Sequence, residues 1–160
     1  MSTRSSARVL LIDRAGRVLL FRIDDPHTDD PPEWITPGGG LEAGEELVEA
    51  AARELREETG LAVSAELLRT PVAWSEGSWM WRGTRMHSVD TFFALEVETF
   101  EPSFLDHTDI EREVMSTHRW WSPDELDVAD ERVVPGGLAD LARRLHRGER
   151  PAAAIHLPWI

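Results

Sequence analysis

The chain has 160 residues, enough for one core and few for two, and it contains no cysteine, which excludes a disulfide framework, a thiolate zinc site and a cysteine nucleophile. Seventeen basic residues against 30 acidic ones leave a formal charge of −13. A general nucleic-acid binder carries a basic surface, so long nucleic acid is not expected as a partner, and a small anionic ligand needs metal ions to bridge it to the protein. The first residues, MSTRSSA, are small and polar, and residues 1–6 are expected to fray. The RVLLID that follows is too short for a signal-peptide core or a membrane span, which reads as a cytoplasmic chain with no membrane partner.

Strands are predicted over residues 8–12 and 18–23, joined as a hairpin by Asp13-Arg14-Ala15-Gly16. Residues 24–33 are acidic and Pro-containing and form a candidate rim for a cleft. Trp34 then precedes Pro37-Gly38-Gly39-Gly40. Successive glycines let the backbone turn sharply and present N–H and C=O groups to a phosphate or metal, although a plain turn is the commoner meaning of such a run.

From residue 45 to 59 the sequence is rich in Ala, Leu, Glu and Arg, lacks Pro and Gly, and stops at Gly60, which suits a left-handed cap. A helix of about four turns is predicted there. Leu47, Val48, Ala51 and Leu55 fall in one sector that can face a core, and Glu54, Glu57 and Glu58 fall beside it at the wall of a cleft. Glu49, Ala52, Arg53 and Arg56 are placed on the outer face. Three glutamates at i, i+3 and i+4 repel one another, by roughly 0.2–0.5 kcal/mol per exposed pair, so they need compensation. Arg53 can pair with Glu49 and Glu57, one turn away on either side, but a hard divalent cation satisfies clustered oxygens better. A lone E-x-x-E-E is more often a solvated acidic face. The glycine run and Arg53 reverse that balance.

Past this helix, strand-like stretches occupy residues 63–74 and 79–81, and a clearer strand covers 88–97, where Val89, Thr91, Phe93, Leu95 and Val97 alternate with more polar positions. A short strand at 117–121 leads into Ser122-Pro123, a capped helix start. Residues 137–147 read as a final helix with Leu138, Leu141 and Leu145 on one face. The tail GERPAAAIHLPWI carries no motif, and its apolar end is suited to docking on the body or on a second subunit, so a homodimer is possible.

Two loops beyond the acidic helix are candidates for substrate contact and catalysis. Residues 76–85 carry Trp79, Trp81 and Arg82, suited to stacking on a base or contacting phosphate, although core or dimer packing is the commoner role of such tryptophans. The loop at 101–115 carries Asp106, Asp109, Glu111 and Glu113; Glu111 and Glu113 are candidates for a further ligand or a general base, with a solvated acidic rim as an equal alternative.

Gly39, Glu45, Arg53, Glu54, Leu55, Glu57, Glu58, Gly60 and Leu61 together fit G-x5-E-x7-R-E-U-x-E-E-x-G-U, where U is bulky and aliphatic. Chance places such a match on the order of once in 10^9 start positions. The pattern is similar to the Nudix box, and the chain resembles a Nudix hydrolase from about residue 7 to 147. The resemblance implies an α/β fold, a Nudix-type α/β/α sandwich with a mixed central sheet, in a single domain.

It further implies Mg2+- or Mn2+-dependent hydrolysis of a nucleoside diphosphate derivative or a nucleoside triphosphate, a small nucleotide-type substrate. Metal would be held by Glu54, Glu57, Glu58 and the Gly38 carbonyl, with Arg53 holding the glutamates in position. The absence of tyrosine disfavours the dinucleoside polyphosphate hydrolases, and the absence of cysteine excludes the isopentenyl diphosphate isomerases that share the fold. The sequence therefore specifies a reaction class and leaves the substrate open. A non-catalytic nucleotide-sensing Nudix-like module is the competing reading, and the intact box argues against it.

Overall fold

In the computed structural model, residues 3–103 and 107–159 are described, with all of their side chains except those of Glu113 and Ser116. Two central strands set the frame. Strand β1 (Thr3–Ile12) turns back antiparallel into β2 (Val18–Ile23) through a turn in which the Asp13 carboxylate accepts from the backbone N–H groups of Ala15 and Arg17. On its other side β1 runs parallel to β6 (Thr84–Glu96) from Thr3↔His87 to Ile12↔Glu96. The expectation that residues 1–6 fray is thus corrected for 3–6: this parallel ladder supplies partners for their backbone groups, which local composition does not show. Met1 and Ser2 lie outside the described residues.

The sheet continues outward from both sides of that pair. β3 (Glu33–Ile35) pairs with β2, β8 (Arg132–Val134) with β3, and β7 (Met115–Trp121) with β2. β5 (Ala73–Trp81) pairs with β6, and β9 (Ile155–His156) runs parallel to β5. The glycine run is itself a short strand, β4 (Gly38–Gly40), antiparallel to β1, so the expected loop is corrected to a strand held by its neighbour rather than by its own propensity.

Alternation along these strands builds two cores. Leu10 and Ile12 of β1, Val18 and Leu20 of β2, and Phe92 and Ala94 of β6 pack with Leu138, Leu141 and Leu145 of α4 (Leu138–His146). Ala7, Val9, Leu11, Leu19, Phe21 and Phe93 face the other way and pack with Ala50, Ala51 and Leu55 of α1 (Leu47–Thr59). Helices therefore cover both faces of a mixed sheet, the α/β/α sandwich expected. Two short helices complete it: α2 (Asp109–Val114), and α3 (Pro123–Asp127), which Ser122 caps with Pro in its first turn. No helix among the described residues is long and apolar enough to cross a membrane.

The segments after α1 depart from expectation in three respects. Residues 76–85 are not a loop: β5 and β6 extend into one long hairpin closed at Arg82 and Gly83, with Trp81↔Thr84 as its last pair. Residues 65–68 form a 3-10 turn rather than strand. The 101–115 segment, expected as a loop, contains α2, whose Thr108 and Glu111 cap one another's backbone N–H groups. Its Asp106 lies outside the described residues, as does the Glu113 side chain.

Candidate active site

Helix α1 starts at a capping box between Glu46 and Glu49 and ends at Gly60 with φ 80°. Its inner face is pinned to β4 by close backbone approach. Gly38 has φ 145°, and a Cβ on Gly39 would lie 2.6 Å from Glu54 Oε1, so only glycine lets this strand pass under the helix. The Gly38 N–H donates to Glu58 Oε2 at 2.9 Å. The Gly38 carbonyl accepts from Arg8 Nη1 at 3.2 Å.

Glu54, Glu58 and Glu111 each offer an oxygen within 4.8 Å of the others, bringing α1 and α2 together across nearly 50 residues of chain. Burial is the largest influence pushing the Glu58 carboxyl well above the usual carboxylate range, with the Glu54 charge next and the Gly38 N–H opposing it. Glu54 is likewise raised by burial, against the opposing pull of Arg53. Two neighbouring carboxyls whose charged forms burial disfavours, Glu54 and Glu58, gain from a nearby cation. The donor chemistry fits: carboxylate oxygens are ligands that hard divalent ions take.

Arg53 is not on the outer face. Its side chain is 16% exposed and reaches inward, donating to Glu45 through Nε and Nη2, to Glu54 and Glu57 through Nη1, and to the Gly40 carbonyl through Nη2. The expected pairing with Glu57 is present; Glu49 instead caps the helix start, and Glu45 takes its place. The Arg53 hydrogen bonds hold the Glu45 carboxyl at about 2, far below its usual range. Glu57 therefore stands beside Arg53 at 3.2 Å and outside the close group formed by Glu54, Glu58 and Glu111.

A pocket of about 440 Å³ opens beside this cluster, within the size range of small-molecule sites, roughly 300–1,000 Å³. Trp79 and Trp81 line it, as do Asp25, Asp30 and Glu33 from the predicted rim. Arg82 is not among its lining residues; its guanidinium pairs with Asp25 at 3.2 Å and sits over the Trp81 ring. Arg4, Arg8 and Asp90 line the pocket floor, and Trp159 its wall. None of these four was legible as a site residue, because only the β1·β6 pairing and the docking of β9 bring them together. Arg8 joins pocket to cluster, with Nε 3.6 Å from Asp90 and Nη1 on the Gly38 carbonyl. His107 was also missed: its Nε2 lies 2.7 Å from the Glu58 carbonyl, bracing the end of the carboxylate helix.

A carboxylate-bearing helix pinned to a glycine strand, within a sandwich and linked to a pocket, is the arrangement of a Nudix-type hydrolase. Comparison with known proteins agrees. The model of the NUDIX domain family matches residues 2–144, and the chain belongs to the Nudix hydrolase family. It is 31% identical over 147 residues, 82% of this chain and 83% of the relative, to an RNA pyrophosphohydrolase of Azorhizobium caulinodans. A nucleoside triphosphatase NudI of Escherichia coli is 44% identical over 50 residues, covering 31% of this chain and 36% of that protein. In structure, a MutT NUDIX hydrolase from Burkholderia pseudomallei aligns with a TM-score of 0.58 at 21% identity, over 89% of this chain and 96% of that one, a likeness of fold.

Proposed function

We propose that this protein hydrolyses a pyrophosphate linkage in a nucleoside triphosphate or a nucleoside diphosphate derivative, and that it depends on Mg2+ or Mn2+. The observation that carries the reading is the convergence of Glu54, Glu58 and Glu111 within 4.8 Å, linked through Gly38 and Arg8 to a pocket lined by Trp79 and Trp81. Glu54, Glu58 and the Gly38 carbonyl would hold the metal, with Glu57 available beside Arg53. When bound, a divalent cation supplies charge neutralisation at the phosphate oxygens and a lowered pKa for attacking water.

The protein's own residues do the rest. Arg8 and Arg4 offer positive charge at the pocket floor, where an anhydride reaching from pocket to cluster must pass. Arg53 fixes Glu45, Glu54 and Glu57, so the oxygens facing the substrate are oriented in advance. A Glu111 carboxylate oxygen is suited to take a proton from the attacking water. Because glutamine serves equally in a capping box, Glu111→Gln keeps α2 intact while removing the proton acceptor. The variant should lose about 10²–10⁴-fold in kcat with little change in melting temperature. Full activity in both Glu111→Gln and Glu113→Gln would place the base elsewhere.

The test of function is a phosphate-release screen over nucleoside triphosphates, nucleotide sugars, ADP-ribose and dinucleotides, with a short 5′-triphosphorylated RNA included because one relative is named for RNA. The charge of −13 favours the small nucleotides. The expected result is saturable turnover of a small nucleotide in Mg2+. Turnover of RNA alone would reassign the substrate, and binding without turnover of any of these compounds would make the protein a nucleotide-sensing module.

The same acidic character requires affinity to depend on metal. Calorimetry should show nucleotide binding in Mg2+ weakened at least about tenfold in EDTA, roughly 1.4 kcal/mol. Equal affinity in both would refute metal bridging.

A further inference from the structure

The C-terminal tail is part of the pocket. Strand β9 docks in parallel on β5 with Ala73↔Ile155 and Trp74↔His156. Leu157 is buried in the core and its N–H donates to the Trp74 carbonyl, and the Pro158 carbonyl accepts from Gly136 N–H at 2.8 Å. These bonds deliver Trp159 onto β5 opposite Gly77. Glycine within a strand weakens it and calls for a reason, often the close approach of another group. Here a Cβ on Gly77 would lie 2.2 Å from the Trp159 ring, closer than any side chain allows. Residue and partner are matched in shape.

Trp159 belongs to neither core cluster and remains partly exposed, presenting an indole to the pocket beside Trp79 and Trp81. At the floor, Asp90 is mostly buried; its Oδ2 lies 3.6 Å from Arg8 while its Oδ1 has no hydrogen-bond partner. Three indoles lining one pocket suit a planar ring, and Arg8 runs from that pocket to the Gly38 carbonyl beside Glu58's hydrogen-bond donor. We propose that Trp159 is a specificity-determining residue that stacks on the base of the nucleotide whose phosphates reach Glu54, Glu58 and Glu111. The inference rests on the hydrolase reading above and deepens it: the favoured substrate carries a base, and the tail selects for it.

The experiment takes the best nucleotide substrate from the screen and compares full-length wild type with Trp159→Ala, Trp159→Phe and Gly77→Ala in Mg2+. Loss of a stacked aromatic should raise KM about tenfold or more in Trp159→Ala, with kcat within about threefold of wild type. Phenylalanine should recover most of that loss. Gly77→Ala, which drives the ring out of place, should reproduce the KM rise. An unchanged KM in Trp159→Ala, or a loss confined to kcat and melting temperature, overturns the proposal and leaves Trp159 a packing residue. A wild-type protein that turns over no nucleotide overturns the hydrolase reading itself and the inference with it.

Discussion

Glu58→Gln is expected to lower kcat by at least about a hundredfold while leaving the metal-free protein as stable as wild type or more so. The carboxylate accepts the Gly38 N–H and is surrounded by Glu54 and Glu111, so its charge is tolerated only in the presence of a compensating cation. Without one, burial first and Glu54 second raise its pKa well above the ordinary value. A carboxyl with a raised folded-state pKa contributes stability that is fully present below its unfolded value and is lost as pH rises through the folded one. Melting in EDTA should therefore show wild type falling behind Glu58→Gln as pH rises above the ordinary carboxylate range, with the gap closing in acid. Near-wild-type turnover by the variant at saturating metal would remove Glu58 from the site, and a variant that unfolds in EDTA would show the charge to be structural.

Arg53→Ala should be the most damaging single change to stability. It strips a guanidinium from Glu45, Glu54, Glu57 and the Gly40 carbonyl at once, and leaves carboxylates that are 13% and 12% exposed at Glu45 and Glu54 without their counter-charge. Breaking a buried ion pair costs about 3–5 kcal/mol, and partial exposure here puts the cost near the lower end, about 3 kcal/mol. For a domain of this size that lowers the melting temperature by roughly 6–12 °C. Arg53→Lys should recover little, because an ammonium cannot fork between Glu45 and the Gly40 carbonyl as a guanidinium does. Thermal melts of both variants with activity measured below the transition separate the structural loss from the catalytic one. A melting temperature within about 2 °C of wild type for Arg53→Ala would contradict the assigned network.

Much of this arrangement was legible in the sequence because the box fixes chemistry at helical spacing. The acidic helix, its stop at Gly60, the first hairpin, the Ser122 cap and the leucine face of α4 each rest on local signals that the fold does not override. Arg53 shows where local reasoning fails. An angular projection of the helix puts it outward, but a long side chain can run back along the helix axis, and the carbonyl and carboxylate it finds there belong to β4 and the connecting loop. The glycine strand, the three-residue strands Glu33–Ile35 and Arg132–Val134, and the six-residue α2 were illegible for a related reason. They are too short for periodicity, and their neighbours hold them in place.

The pocket was the least legible part. Arg8 and Asp90 are 82 positions apart and meet because β1 and β6 run parallel, and Gly77 reads as a strand breaker until Trp159 is seen lying on it. Of the residues expected to touch substrate, Trp79 and Trp81 line the pocket, whereas Arg82 lies at the hairpin turn against Asp25.

The proposed chemistry is metal-dependent phosphoanhydride hydrolysis at the Glu54–Glu58–Glu111 cluster. It is tested most directly by the rate of phosphate release from the best nucleotide substrate as Mg2+ is raised from none, in EDTA, to saturation, with wild type and Glu58→Gln side by side. Wild type is expected to show no turnover in EDTA and a saturable rise with Mg2+, and the variant a flat, low response. Turnover that proceeds in EDTA, or a variant that follows the wild-type curve, would contradict it.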